Sequence, residues 1–230
     1  MIPKKIHYCW FGKAKKPTLA IKCIKSWKKF CPDYEIIEWN ENNFDVSQTT
    51  YTKMCYEQKK YAFLSDYVRL LVVEKYGGIY FDTDVEVCRS FDGLLGYKAF
   101  FGFENKDYVA TGLGFGAEPN NEIVKQMIKE YDILLDGEHD TVVCPKLNTE
   151  ALIKFGLIQN GNMQEIRGAM IYPEEYFNPL NSITGELVKT SNTHSVHWYS
   201  MSWLPCGIRL RSKITRPFHR IFGKNCFRFK

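Results

Sequence analysis

Short apolar runs alternate with stretches of helical periodicity from one end of the chain to the other. Residues 5–11 form an apolar, aromatic run that predicts a strand, with a loop at 12–17. From Thr18 to Phe30, Leu19, Cys23, Ile24, Trp27 and Phe30 recur at helical spacing with lysines on the other side, the pattern of an amphipathic helix. Pro32-Asp33 stops it, and residues 34–40 read as a second strand. The longest helical pattern covers 60–76 and ends at Gly77-Gly78, a C-cap and turn. Residues 78–87 then read as one strand. Further strands are expected at 99–103, 112–117 and 169–172, helices at 121–135 and 146–155, and a turn at 156–161. Alternation of this kind predicts an α/β fold with a mixed, mostly parallel central sheet flanked by helices. Nothing resembling a repeat or a low-complexity linker divides it, so residues 1–206 are read as one domain.

Charge refines this picture. The 230 residues carry 31 Lys or Arg against 26 Asp or Glu, a net charge of +5. From Arg209 to Lys230 there are eight Lys or Arg and no acid, leaving 23 basic against 26 acidic residues elsewhere. The body is therefore slightly acidic, and the basic character lies in residues 207–230. There Leu210, Ile214, Phe218, Ile221, Phe222, Phe227 and Phe229 are interleaved with the basic residues, a composition that suits RNA or an anionic membrane face. Pro217 and Gly223 are expected to break any long helix. No apolar run reaches the roughly 20 residues of a membrane span, and the first residues lack a signal-peptide core. The eight scattered cysteines form no CxxC pair and read as packed free thiols in a reducing cytosol.

The segment from Gly77 to Val87 holds the strongest chemical signal. On a continuous strand, Asp82 and Asp84 share a face, roughly 6.6 Å apart, while Ile79, Phe81, Thr83 and Val85 face the other way. Two acids on an apolar strand are costly unless a cation neutralises them. Mg2+ or Mn2+ carrying a diphosphate does so; a strand end running into solvent is the plain alternative. Upstream, Asp66 and Arg69 are three apart on a helix and hence neighbours. By themselves they make an internal ion pair. Placed before Gly-Gly and the two acids, Asp66 can meet a ribose hydroxyl and Arg69 a phosphate.

Ser65-Asp66-x-x-Arg69 followed by Gly77-Gly78-x-Tyr80-x-Asp82-x-Asp84 resembles the DXD-motif sugar transferases of glycosyltransferase family 32, whose core is similar to that of glucosylating bacterial toxins. The likeness extends to residues 2–12, to Ser26-Trp27-Lys28-Lys29, to Pro32-Asp33-Tyr34-Glu35-Ile36 with Trp39, and to His197-x-x-x-x-Ser202-Trp203. It implies a GT-A fold, in which a Rossmann-like nucleotide-binding half is joined to an acceptor half in one sheet. The activity implied is transfer of a hexose or N-acetylhexosamine from a nucleotide sugar with retention of configuration. Carried over residue by residue, Asp84 would ligate the metal, and Asp82 would contact ribose and metal. Asp66 and Arg69 would hold the donor, Tyr80 would line its pocket, and Cys9, Trp10 and Phe11 would flank the base. His197 would be a further metal ligand, with Ser202 and Trp203 on the diphosphate. An imidazole ligand favours Mn2+ over Mg2+. Where the family often has a second His, this chain has Trp198. The expected donor is UDP-linked, with GDP-mannose as the alternative, and the expected acceptor is a saccharide or lipid-linked saccharide. The resemblance also implies a bacterial role in capsular or other surface polysaccharide synthesis. With that reading, Arg209 to Lys230 is expected to hold a cytoplasmic protein on the anionic inner face of the membrane, with no nucleic-acid partner.

Placement alone singles out a few other residues. Glu104, closing a strand expected to run beside the acids, is a further catalytic candidate. Asn148-Thr149 reads as a helix N-cap. His194 and His197, three apart, would form a zinc pair on a helix, but no third ligand follows, and His194 is read as structural. A sugar-1-phosphate nucleotidyltransferase would show a Gly-rich basic phosphate loop, whereas residues 12–16 contain one glycine. A non-catalytic membrane- or polyanion-binding module is the non-enzymatic alternative.

Overall fold

A computed structural model describes residues 1–138, 141–201 and 206–222. In chain order the elements are β1 (Lys5–Cys9), α1 (Thr18–Phe30), β2 (Glu35–Trp39), α2 (Thr50–Glu57), α3 (Tyr61–Tyr76), β3 (Gly78–Tyr80), β4 (Val85–Val87), β5 (Ala99–Asn105), β6 (Tyr108–Val109), β7 (Phe115–Ala117), α4 (Glu122–Lys129), α5 (Cys144–Ile153), β8 (Gln164–Ile166), β9 (Ala169–Tyr172), α6 (Glu174–Phe177), β10 (Ser195–His197) and α7 (Cys206–Phe222). The main sheet has the order β2-β1-β3-β7-β5-β9-β8, with β6 paired to β5. Strands β2, β1, β3, β5 and β9 run one way, and β7 and β8 run against them. This is the mixed, mostly parallel α/β sheet expected.

Residue alternation divides the core between the two faces of the sheet. On β5, Phe101 and Phe103 join the cluster under α3, α4 and α5, whereas Phe100 joins Trp27, Phe81, Phe91 and Phe177 on the α1 side. The α1 helix turns Ala20, Cys23 and Trp27 inward, as its periodicity predicts. At the corner where β1, β2 and α3 meet, His7 is fully buried. Its Nδ1 accepts from Trp39 Nε1 at 3.1 Å, leaving Nε2 to donate to the Gly77 carbonyl at 2.8 Å. Cys9, Cys23, Cys31, Cys55, Cys88 and Cys144 are free thiols. No helix among the described residues is long and apolar enough to cross a membrane.

Several expected elements differ from those observed. The strand foreseen over 78–87 is two strands in two sheets. The chain turns between β3 and β4, and among the described residues β4 pairs with β10 in a separate two-stranded sheet. Residues 112–117 begin in a 3-10 turn and become strand at Phe115. The helix over 121–135 ends at Lys129 and resumes as a 3-10 turn at Asp132–Leu134. Helix α2, with too little apolar periodicity to announce itself, is started by a Thr49 capping box. Asn148-Thr149 is not an N-cap, because α5 begins four residues earlier with Pro145 in its first turn. Pro217 does not break α7, which runs 17 residues through it. A proline removes one backbone donor, and a helix this exposed can leave the orphaned carbonyl to water. Gly223 lies outside the described residues.

Candidate functional site

Asp82 and Asp84 are brought together by a turn, not by a strand face. Past β3, Phe81 is buried, and the Val85 N–H donates to the Asp82 carbonyl at 3.0 Å. Two neighbours hold the far side of the turn. From α1, Trp27 Nε1 donates to the Val85 carbonyl at 2.8 Å, and Ser26 Oγ accepts from the Val87 N–H at 2.9 Å. On the other edge, β10 pairs antiparallel with β4 in the register His197↔Val85. That register sets His197 Nε2 3.1 Å from Asp84 Oδ1. The chain beyond β10 then curls back, with Trp198 N–H on the Asp84 carbonyl at 3.0 Å and Ser200 N–H on Asp84 Oδ2 at 2.7 Å. Tyr199 and Met201 adopt φ of 48° and 50° in this curl, a region non-glycine residues seldom occupy.

Asp82 faces the opposite wall. Arg69 on α3 is buried and reaches both acids through one nitrogen, with Nη2 2.8 Å from Asp66 and 2.8 Å from Asp82. Its other terminal nitrogen lies 3.4 Å from Thr111 Oγ1 and 3.6 Å from Cys144 Sγ. Tyr80 donates to Asp82 Oδ1 at 3.2 Å and carries the guanidinium over its ring at 4.9 Å. Gly112 is packed so closely that an added Cβ would run into Asp82 Oδ2.

The electrostatics show excess negative charge. Burial opposes ionisation of Asp84, but the His197 imidazole and the Ser200 N–H outweigh it and hold the carboxyl well below its ordinary range. Burial would likewise lower His197, and Asp84 reverses that, raising it above the usual imidazole value. For Asp82, burial and the Asp84 charge win over Arg69 and push the carboxyl up. Burial raises Asp66 to about 6 and also raises Glu104. Carboxylates thus outnumber the cations available to them.

Such a deficit is what a divalent cation corrects. Donor atoms of Asp82, Asp84 and His197 all lie within 4.8 Å of one another. His197 Nδ1 is buried and has no hydrogen-bond partner among the described residues. Two carboxylates and an imidazole are a donor set suited to Mn2+ or Mg2+, so the residues fit the ion.

These groups line a cavity of about 790 Å³. It opens at the carboxyl ends of β1 and β3, the usual place for ligands in a wound α/β sheet. Cys9, Trp10 and Phe11 border it from the end of β1, Asp66 and Arg69 from α3, Tyr80 and the two acids from the turn, and Glu104 and His197 from the far wall. All the expected site residues within the described chain therefore meet in one cavity. Ser202 and Trp203 lie outside the described residues. Glu104 reaches the site although β7 separates β5 from β3, so it does not run beside the acids as expected. Its Oε1 accepts from Tyr199 OH at 3.3 Å. His194 is structural: it stacks on Tyr176 at 5.8 Å, with Nδ1 2.8 Å from the Asn192 carbonyl. His194 stands just before β10, its ring stacked on Tyr176 while His197 faces Asp84, so no histidine pair forms. Asn148, buried in α5, instead donates to Thr111 Oγ1 at 3.0 Å, beneath Arg69. Thr111-Gly112, which by placement were expected to meet the donor sugar or acceptor, stand beside Arg69 and Asp82; Cys144, Tyr199 and the Ser200 N–H were not anticipated as parts of the site, because only the tertiary fold assembles them.

Residues 17–101 match the model of a family described as the glycosyltransferase sugar-binding region containing the DXD motif. Inositol phosphoceramide mannosyltransferase 3 of Schizosaccharomyces pombe is 35% identical over 103 residues, which make up 43% of this chain and 29% of that protein. The match thus spans less than a third of that relative's length. Among solved structures, the PaToxG glycosyltransferase shares the fold at a TM-score of 0.54 and 22% identity, over 66% of this chain and 69% of its own. A glycosyltransferase involved in glycosylation of the major capsid of PBCV-1 aligns over 90% of this chain and 98% of its own, at 11% identity and a TM-score of 0.49. The family model and the curated relative are both of glycosyltransferases, and the α/β sheet is GT-A-like.

Proposed function

We propose that this protein is a metal-dependent, retaining glycosyltransferase that moves a sugar from a nucleotide donor to a saccharide or lipid-linked acceptor. One observation carries the reading. Asp82, Asp84 and His197 converge within 4.8 Å in a cavity large enough for a nucleotide sugar. A divalent cation held by these three would stabilise the negative charge that gathers on the departing diphosphate.

The chain's own groups have separable tasks. Arg69, fixed by Asp66 and Thr111, keeps Asp82 in place and supplies a fixed positive charge beside the site. Tyr80 shapes the floor through its bond to Asp82. Cys9, Trp10 and Phe11 form the aromatic end, suited to a nucleobase. Glu104 and Tyr199, hydrogen-bonded to each other on the far wall, face the place an acceptor would enter. Cys9 takes no part as a nucleophile, since burial pushes its thiol up to about 12. A UDP-linked donor, retention and a role in surface polysaccharide synthesis rest on the family resemblance. Transfer of mannose from GDP-mannose is a second reading, favoured by the relative named as a mannosyltransferase.

Donor hydrolysis tests the proposal. Purified protein is incubated with Mn2+ and a panel of UDP-hexoses, UDP-N-acetylhexosamines and GDP-mannose, beside Asp84→Ala. At least one donor should be turned over, with a drop of about a thousandfold in the variant, the worth of ~4 kcal/mol in the barrier. No turnover of any donor, or a variant equal to wild type, refutes it. The preferred nucleotide decides between the two donor readings.

A further inference from the structure

Helix α7 has its amphipathic character inverted relative to a helix that packs on a core. Its 17 residues include five Lys or Arg and no Asp or Glu. Leu210, Ile214, Phe218 and Ile221 follow at i, i+4, i+8 and i+11, forming a single stripe. A core-facing helix buries such a stripe, yet here Leu210 is 58%, Ile214 57%, Phe218 45% and Ile221 73% exposed. The other side of the helix meets the domain. Arg216, which helical geometry places nearly opposite the stripe, donates from Nε to the Ser182 carbonyl at 3.1 Å. Its side chain also runs over Gly185, where an added Cβ would sit 3.3 Å from Arg216 Cδ. The loop that receives it exposes Ile183, Leu187 and Val188 as well.

We infer that α7 lies in the plane of an anionic lipid bilayer, its apolar stripe at the headgroup–acyl boundary and its basic residues against lipid phosphates. The charge is complementary to such a surface and to no acidic group on the helix itself. With Pro217 and basic residues along it, α7 is not a membrane span. Ser182, where Arg216 is hooked, also lines the large cavity, as do Tyr199, Ser200 and Met201 shortly before α7. A helix held on the bilayer therefore holds the cavity beside the bilayer too. On the glycosyl-transfer reading, on which this last step rests, the acceptor class favoured is a saccharide carried on a lipid.

The test is co-sedimentation of the full chain with vesicles of equimolar phosphatidylcholine and phosphatidylglycerol, against phosphatidylcholine alone. Wild type should bind the anionic vesicles, more weakly at high salt, and should bind the neutral ones far less. Ile214→Glu places a carboxylate in the stripe and should weaken partition by about tenfold or more. Arg220→Gln removes one basic residue and should weaken it about fivefold. Both variants should keep the wild-type melting temperature and donor hydrolysis in solution, since neither residue touches the cavity. Absence of binding to anionic vesicles overturns the inference, as does an Ile214→Glu variant that binds like wild type. A wild-type dimer without vesicle binding that Ile214→Glu makes monomeric also overturns it, assigning the stripe to contact between copies. Vesicle binding without turnover of any donor upholds the membrane surface and counts against the transfer reading alone.

Discussion

Asp82 and Asp84 stand two residues apart, yet each belongs to a different region of the molecule. Asp82 is gripped by α3, close in sequence, through a buried guanidinium that also holds Asp66 and lies within reach of Thr111 and Cys144. Asp84 is gripped by residues more than a hundred positions later, on a three-residue strand and a curl with two positive-φ residues. The first wall is a buried network, and removing its centre strands two carboxylates. The second wall rests on an ion pair and two backbone bonds. The same motif thus joins two walls of different construction, and the two acids' pKa shifts run in opposite directions, Asp82 raised by burial and the Asp84 charge, Asp84 lowered by His197 and the Ser200 N–H.

Unequal losses on the two walls are the sharpest consequence. Arg69→Met should destabilise the protein by about 3–5 kcal/mol, the range for leaving buried charge unpaired, and abolish donor hydrolysis. His197→Gln leaves Asp84 its Ser200 N–H and should cost about 1 kcal/mol of stability while still removing most activity. Equal falls in melting temperature would break the distinction. Next comes Gly112→Ala, whose methyl must displace Asp82. It should destabilise by about 1–3 kcal/mol and lower hydrolysis about tenfold, whereas Gly93→Ala, with open space at its Cβ, should change neither. A silent Gly112→Ala would show that the position of Asp82 is unimportant.

The last effect is a pH dependence carried by Asp66. Its carboxyl is raised from 3.8 to about 6 in the folded protein, so the folded chain binds that proton more tightly than the unfolded one. Asp66 therefore detracts from stability above about pH 6, and this penalty disappears as the pH falls towards 4. Melting curves of wild type and Asp66→Asn should converge in wild type's favour by on the order of 2 kcal/mol across that interval. A constant difference would mean that Asp66 stays ionised throughout.

What could be read in the sequence divides along the same line. The α3 wall was legible because its signals are local. Asp66 and Arg69 share a helix face, and Gly77-Gly78 leads straight to the acids. His197 was reached only through resemblance, since no periodicity connects it to a motif a hundred residues away. The strand assumed over 78–87 was wrong for a physical reason: the hydrogen bonds that hold β4 come from Ser26, Trp27 and β10, partners that no local pattern reveals. Those two motif residues serve as clamps on the turn. The Ser200 N–H carries no side-chain signal at all, and Glu104 enters the cavity across an intervening strand. Helix α7 was hidden by Pro217, whose cost is small where the neighbouring carbonyl faces solvent.

The central claim is that Asp84, with Asp82 and His197, binds a divalent cation together with a nucleoside diphosphate. Titration of Mn2+ into the protein with UDP or GDP present, followed by the electron paramagnetic resonance signal of free Mn2+, measures it directly. Wild type should withdraw Mn2+ from solution in proportion to protein, and Asp84→Asn, folded and of similar melting temperature, should bind it at least about tenfold more weakly. An Asp84→Asn protein that binds Mn2+ as tightly as wild type would contradict the account.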